Sequence, residues 1–291
     1  MDLLSKGERV RNASRKLRLI TTEKKNDAIS MIAKEIEMHK DVILRANAVD
    51  VSNAREKGTK ESLIDRLALS ESRIQAMVQA CREVIVLPDP VGEIESTRLQ
   101  KDGLRISKER VPIGAIGMIF ESWPNVTVDA SILAIKSGNS ILLKGGSDAI
   151  NSNKAIVLIM KKALSLAGLP DGSIELVEDT SREVVKEMLE MNQYLSLIIP
   201  RGGAALIKFV VDNSRIPVIE TGTGNCHIFV DYSADLEKSV SLVDNAKTQR
   251  PGTCNAFETL LVHRMMSAEF IPRVSSVLTA KVVELIGCEE S

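Results

Sequence analysis

The sequence predicts an α/β protein built on a parallel sheet, and three observations carry that reading. Short apolar runs, Gly114-Ala115-Ile116-Gly117-Met118-Ile119-Phe120 and Ser140-Ile141-Leu142-Leu143-Lys144, suit strands buried on both faces. They alternate with segments of helical periodicity, the pattern of βαβ units with right-handed crossovers. Two glycine pairs, Gly145-Gly146 and Gly202-Gly203, follow such runs, at the strand ends where an open parallel sheet binds ligands.

The elements follow in order. Lys6, Arg9, Arg11, Arg15, Lys16 and Arg18 interleave with Val10, Ala13, Leu17 and Ile20, which predicts a surface helix. Asp2 and Glu8 weigh against a transit peptide, and no signal-peptide stretch is expected. Thr22 is expected to cap a helix in which Ile29, Ile32, Ala33 and Ile36 share a face. A second helix carries Val42, Ile43, Ala46 and Val49, and Gly58 interrupts the pattern. A third helix runs from Ser62 to Ile85, stopped by Pro88 and Pro90. Thr97 to Ile106 reads as two short strands about Asp102-Gly103.

After Phe120 comes a polar turn, Glu121 to Asn125, then a helix from Val126 to Lys136. Past the Lys144 strand a helix runs from Asn153 to Ala167. Ile174–Val177, Leu195–Pro200, Val218-Ile219 and His227–Asp231 read as further strands. Arg182–Met191 and Ala204–Asp212 read as helices between them.

Composition excludes some functions. Lysine plus arginine number 38 against 39 acidic residues, so the chain lacks the charge excess of a nucleic-acid binder. Aromatics are 3%, too few for a base-stacking platform. Cys81, Cys226, Cys254 and Cys288 are scattered, with no CxxC pair and no zinc-ligand spacing, so no metal is expected and a reducing setting, the cytoplasm, is. No apolar run approaches the roughly 18 residues of a membrane span, so no membrane partner is expected.

The segment Asn245 to Ala256 is the most informative for chemistry. It places Cys254 in a polar loop, after Arg250-Pro251-Gly252 and before Asn255, between the apolar segments Val240–Val243 and Leu260–Val262. A cation near a thiol favours the attacking thiolate, and Asn255 and the loop amides can donate to a developing oxyanion. The alternative is a buried loop cysteine that happens to follow an arginine. Lys144 can meet a ribose hydroxyl or a 2′-phosphate beside Gly145, yet both Gly-Gly pairs also suit a plain tight turn. Asn125 can support an oxyanion or cap a helix. Glu220 can act as a base or stand as a solvated carboxylate. Cys226 and His227, adjacent in a strand, point to opposite faces and make a poor metal pair.

Taken together, Asp65–Leu69, Asp89–Gly92, Val111–Gly114, Pro124–Asp129, Ile199–Ala204 and Asn245–His263 resemble the gamma-glutamyl phosphate reductases, also called glutamate-5-semialdehyde dehydrogenases, of the aldehyde dehydrogenase superfamily. The match is collinear as far as about Phe270. The resemblance implies an aldehyde-dehydrogenase-like fold: a cofactor domain over 1–96 and 112–219, an oligomerisation hairpin over 97–111, and the first part of a catalytic domain over 220–291. It implies NADPH-dependent reduction of L-glutamyl 5-phosphate in proline biosynthesis, a homo-oligomer, and a long continuation beyond Ser291, whose lack would leave apolar faces open. Cys254 becomes the nucleophile and Asn125 the oxyanion support. Pro124, Lys144, Gly145, Gly202 and Gly203 become cofactor contacts, and Arg250 and Asn255 substrate contacts. A base at Glu220 is not secured by the resemblance. The alternatives are a hydrolytic aldehyde dehydrogenase using Glu220, or an inactive fragment that only binds nucleotide or a partner subunit. One departure stands out: the family usually has arginine where this chain has Trp123.

Overall fold

The structure, a computed structural model, describes residues 2–121, 123–220, 224–251 and 253–288. It divides into two compact units, Met1–Thr221 and Gly222–Ser291.

In the first unit, helix α1 (Leu3–Leu17) starts at Asp2, whose carboxylate accepts from the Ser5 amide at 2.8 Å. It is a surface helix, with Arg11, Arg15 and Lys16 exposed on its outer face and its apolar stripe turned inward. Val10, Ala13 and Leu17 are buried, Ser140 Oγ donates to the Val10 carbonyl at 2.7 Å, and Arg9 pairs with Glu175 at 2.8 Å. Val10, Ala13 and Leu17 form an apolar stripe at i, i+3, i+7 spacing between the basic residues. Helix α2 (Thr22–Met38) is capped by Thr21, not Thr22, which instead donates its hydroxyl to Asp89 at 2.6 Å. Ile29, Ile32, Ala33 and Ile36 are buried on its inner face.

Helix α3 (Lys40–Glu56) buries a different stripe from the expected one. Val42 and Val49 are exposed, whereas Ile43, Asn47, Asp50 and Ala54 are buried. Asp50 accepts from the backbone amide of Ser152 at 2.8 Å and from its hydroxyl at 2.6 Å. The single helix expected over Ser62–Ile85 is two, α4 (Glu61–Leu67) and α5 (Glu71–Val86). Ser70 lies extended between them and caps α5 through the Arg73 amide at 3.2 Å. An exposed antiparallel hairpin follows, β1 (Ile94–Leu99) and β2 (Arg105–Glu109), turned at Gly103 with φ 87°.

The sheet of this unit is parallel and four-stranded. Its strands are β3 (Ala115–Phe120), β4 (Ser140–Lys144), β5 (Ile174–Leu176) and β6 (Leu197–Arg201), in the order β5-β4-β3-β6. The crossovers are α6 (Pro124–Lys136), α7 (Ile150–Leu166), α8 (Arg182–Leu189) and, after β6, α9 (Ala204–Asn213). A short 3-10 turn, Ser147–Ala149, precedes α7. The strand expected at Val218-Ile219 is a single bridge from Val218 to Ile198. Side chains alternate across the sheet. Phe120, Ile141 and Leu143 enter a core with α2, α5, α6 and α7, and Ala115, Ile119 and Leu142 a core with α1 and α8. The chain runs from β3 outward to β5 and then returns to place β6 on the other side of β3. Strand order therefore reverses at β3, the point where open α/β sheets bind ligands beyond their carboxyl ends.

The second unit pairs β7 (His227–Val230) and β8 (Thr259–Val262) in parallel, joined through α10 (Leu236–Thr248) and followed by α11 (Arg264–Ala280). Val230, Val243, Phe257, Phe270, Val274 and Leu278 form its core. No helix among the described residues is long and apolar enough to cross a membrane.

Candidate functional site

In the first unit the structure gathers three groups of expected site residues at the carboxyl ends of β3, β4 and β6. Pro124 opens α6 at its first position, where its fixed φ and missing N–H fit a helix start. Asn125 follows, and it does not cap. Its side-chain amide donates to Asp129 Oδ2 at 3.1 Å, one turn along the helix. Burial raises the Asp129 carboxyl above its ordinary value, and the Asn125 bond opposes that rise. Both residues are half-buried. Ser122 lies outside the described residues.

Lys144 ends β4 and is buried. Its ammonium donates to the carbonyls of Gly145 at 3.1 Å and Thr180 at 3.3 Å. Burial pushes its pKa below the lysine value of 10.5, and Asp179 pulls the other way. A buried ammonium whose hydrogen bonds go to carbonyls favours an anionic partner. Gly145 is required by packing: a Cβ there would run into Asn153 Nδ2 and lie 3.3 Å from the Phe120 ring. Asn153 is fully buried, accepts from Thr127 Oγ1 at 2.8 Å, and leaves Nδ2 without a hydrogen-bond partner beside that turn. An unpaired buried donor beside a backbone turn suits a site that a polar ligand completes.

The Gly202-Gly203 pair forms the tight strand-to-helix turn between β6 and α9. A Cβ on Gly202 would lie 2.6 Å from the Glu121 carboxyl carbon, so this glycine makes room for Glu121. Gly203 is the N-cap of α9. Glu121 was legible only as part of a polar turn. Its proximity to Gly202 follows from the β3–β6 pairing, in which the Glu121 amide donates to Arg201 at 3.2 Å. Glu220 is exposed, next to Thr221, Gly222 and Thr223, which lie outside the described residues. Trp123, half-buried, packs on the core, and the Arg66 guanidinium lies over its ring, 5.5 Å from the centroid. Arg66 lies in the Asp65–Leu69 segment that carries the resemblance but was given no role, and Asn153 was read only as the start of a helix.

In the second unit the structure gathers Arg250, Cys254 and Asn255 in the loop between α10 and β8; Gly252 lies outside the described residues. All three are exposed, so the buried-cysteine alternative for Cys254 is overturned. The loop is shaped by its own backbone. The Thr253 amide and hydroxyl donate to the Arg250 carbonyl at 3.2 and 2.9 Å, and the Ala256 amide to Thr253 at 3.1 Å. Cys226 Sγ donates to the Cys254 carbonyl at 3.4 Å, while His227 Nδ1 lies 2.7 Å from the Asn225 carbonyl. Cys226 thus braces the loop. Cys81 is the opposite case: burial pushes its thiol up to about 12. That thiol is protonated at physiological pH and is no nucleophile.

Comparison with known proteins places these features in context. The family model described as "Aldehyde dehydrogenase family" matches residues 7–284. A gamma-glutamyl phosphate reductase of Kosmotoga olearia is 58% identical over 290 residues, covering 100% of this chain and 70% of that protein. The crystal structure of the gamma-glutamyl phosphate reductase from Thermotoga maritima is 56% identical with a TM-score of 0.92, again over 100% of this chain and 70% of the other. The corresponding crystal structure from Saccharomyces cerevisiae is 30% identical with a TM-score of 0.70, over 98% of this chain and 71% of the other. The chain thus spans about 70% of the length of the relatives it matches.

Proposed function

The chain belongs to the aldehyde dehydrogenase family and, within it, to the gamma-glutamyl phosphate reductases, a family of oxidoreductases, and from that premise we propose that it serves proline biosynthesis by reducing L-glutamyl 5-phosphate to L-glutamate 5-semialdehyde and phosphate through a Cys254 thioester. The observation that carries the reading is the exposed thiol of Cys254 in a backbone-braced polar loop, in a chain 58% identical to a reductase over its whole length.

Cys254 attacks the acyl carbon as thiolate. The bond from that carbon to the phosphate oxygen breaks, phosphate leaves with the electron pair, and a thioester remains. Asn125, with one N–H held by Asp129, offers the other to the oxyanion, and Asn255 and the loop amides add donors. NADPH, when bound, supplies the hydride that reduces the thioester carbon. The resulting thiohemiacetal on Cys254 collapses, releasing the aldehyde and restoring the thiolate. Lys144, Gly145, Gly202, Gly203 and Pro124 would hold the cofactor, and the carbonyl-bound ammonium of Lys144 and the unpaired Asn153 amide suit its phosphate and ribose oxygens. Arg250 and Asn255 contact the substrate. Residues 1–96 and 112–219 form the cofactor domain and 220–291 part of the catalytic domain, and the 97–111 hairpin joins subunits of a homo-oligomer. No base is assigned to Glu220, since phosphate departs without activated water.

The test is the reverse reaction, NADP+ reduction with glutamate 5-semialdehyde. It should require phosphate, vanish in Cys254→Ala and persist in Cys81→Ala. Turnover retained in Cys254→Ala, or turnover indifferent to phosphate, would overturn the reading.

A further inference from the structure

Cys226 and Cys254 are 28 residues apart in sequence, yet one sulfur lies against the other's backbone: Cys226 Sγ donates to the Cys254 carbonyl at 3.4 Å. A carbonyl oxygen stands about 2.4 Å from its own Cα, so this sulfur lies within about 6 Å of the Cys254 Cα. In a disulfide each sulfur stands about 4 Å from the opposite Cα, so a loop shift of about 2 Å or less closes the gap. The Cys254 side chain is exposed, and its thiol turns about the Cα–Cβ bond to meet Cys226.

The surroundings fix one partner and leave the other free to make that shift. Cys226 immediately precedes β7, and its carbonyl accepts from the Glu258 and Thr259 amides, each at 3.0 Å. The loop that carries Cys254 is closed at its base. There the Phe257 amide donates to the Ala246 carbonyl at 3.1 Å, and Lys247 Nζ to the Phe257 carbonyl at 3.1 Å. Cys254 and Asn255 lie beyond that closure, and both are exposed. An exposed thiol with thiolate character is also the group that a peroxide attacks. Its first oxidation product is recoverable, and the later ones are not.

We propose that Cys226 is a resolving thiol for Cys254, closing a reversible disulfide within the chain when a hydroperoxide oxidises Cys254. The Cys254 thiolate attacks a peroxide oxygen. A sulfur–oxygen bond forms, the oxygen–oxygen bond breaks, and hydroxide leaves and takes a proton to become water. The sulfur is now a sulfenic acid, two electrons more oxidised. The Cys226 sulfur attacks it, the sulfur–sulfur bond forms, and the sulfur–oxygen bond breaks. The departing hydroxide carries off the Cys226 proton as a second water. An external dithiol reverses the bond by exchange and is itself oxidised. The proposal rests on the reductase reading for its consequence, a recoverable arrest of turnover, and on the Cys226–Cys254 contact for the bond itself.

The test is peptide mapping without reduction. The full chain, dilute and reduced, is treated with hydrogen peroxide, its remaining thiols are alkylated, and it is cut with trypsin. Lys238 and Lys247 lie between the two cysteines, so Cys226 and Cys254 fall in separate peptides. A linked Cys226–Cys254 pair is expected, lost again on treatment with dithiothreitol. In Cys226→Ser, which keeps a hydroxyl donor for the Cys254 carbonyl, Cys254 should instead pass to sulfinic acid that dithiothreitol does not recover. Cys226→Ala is the second variant. The linked pair in the parent protein is decisive even where neither variant folds. Cys254 that stays reduced overturns the proposal. So does sulfinic Cys254 with Cys226 still open to alkylation, or linkage of Cys254 to Cys288 or to another molecule. The readout needs no turnover. Its failure leaves the reductase reading standing, and retained turnover in Cys254→Ala would sink that reading without removing the linked pair from the parent protein.

Discussion

Asn125 donates its side-chain amide to Asp129 across one turn of α6, at 3.1 Å. The bond fixes the amide plane and commits one of its two N–H groups. With the second N–H on the oxyanion, Asn125→Ala should lower kcat by about 100-fold or more, with little change in KM for the semialdehyde. Asp129→Leu, which lets the amide swing, should lower kcat by about tenfold or more. Steady-state rates of the phosphate-dependent reverse reaction decide it. Wild-type kcat in Asp129→Leu would reduce the contact to a helix staple.

Lys144 gives a cofactor prediction with a sign in pH. Burial lowers its pKa, Asp179 opposing, so it loses its charge at lower pH than an exposed lysine does. If that charge meets the 2′-phosphate, Lys144→Ala weakens NADPH by about tenfold or more and NADH far less. In the parent protein the preference for NADPH over NADH should decline on the alkaline side, before ordinary lysines titrate. Fluorescence titration of both nucleotides across pH measures this. Equal weakening of the two in Lys144→Ala would place the side chain elsewhere.

Much of this was legible in sequence where apolar pattern alone decides. The Ser140–Lys144 strand has the bounds its apolar run suggests, because a strand buried on both faces needs no further information. The pattern failed where burial is polar. In α3, Asn47 and Asp50 occupy the inner stripe, so a search for apolar spacing chose Val42 and Val49 instead. The break between α4 and α5 hangs on Asn47 accepting from Leu69, residues 22 apart, which no local window contains. At the candidate site, the loop and the turn drew attention to Cys254 and Lys144 but left each with an alternative, and the resemblance decided between them. Nothing local marked Glu121 or Asn153, since each acquires meaning only through a tertiary neighbour.

Thiol chemistry separates the cysteines. Cys254 and Cys288 are exposed, Cys226 is half-buried, and Cys81 is buried with its thiol pushed up to about 12. In native protein near pH 8, iodoacetamide should label Cys254 and spare Cys81, which should react only on unfolding. Labelling of Cys254 should abolish turnover with the same time course. Peptide mapping alongside residual activity provides the check, and full activity with Cys254 alkylated would contradict its role as nucleophile.

The last prediction concerns acid stability. Lys25 and Asp89 form an ion pair at 2.5 Å, with side chains 1% and 9% exposed, joining α2 to the chain just before the hairpin. Burial alone would raise the Asp89 carboxyl. Bonds from Lys25, from Thr22 at 2.6 Å and from the Val91 amide at 3.0 Å outweigh it, and the carboxyl is held below its ordinary value. A carboxyl depressed in the folded state contributes stability that is present above its unfolded pKa, about 3.9. That stability is lost as pH falls through the folded value. Asp89→Asn leaves Lys25 buried without its counter-charge, which should cost about 3–5 kcal/mol at neutral pH. It should also flatten the loss of stability on acidification. Urea unfolding of both proteins at neutral pH and near pH 4 measures the two effects together. A variant that is weakened at neutral pH yet keeps the parent's full acid sensitivity would show that other carboxylates, not Asp89, govern the acid transition.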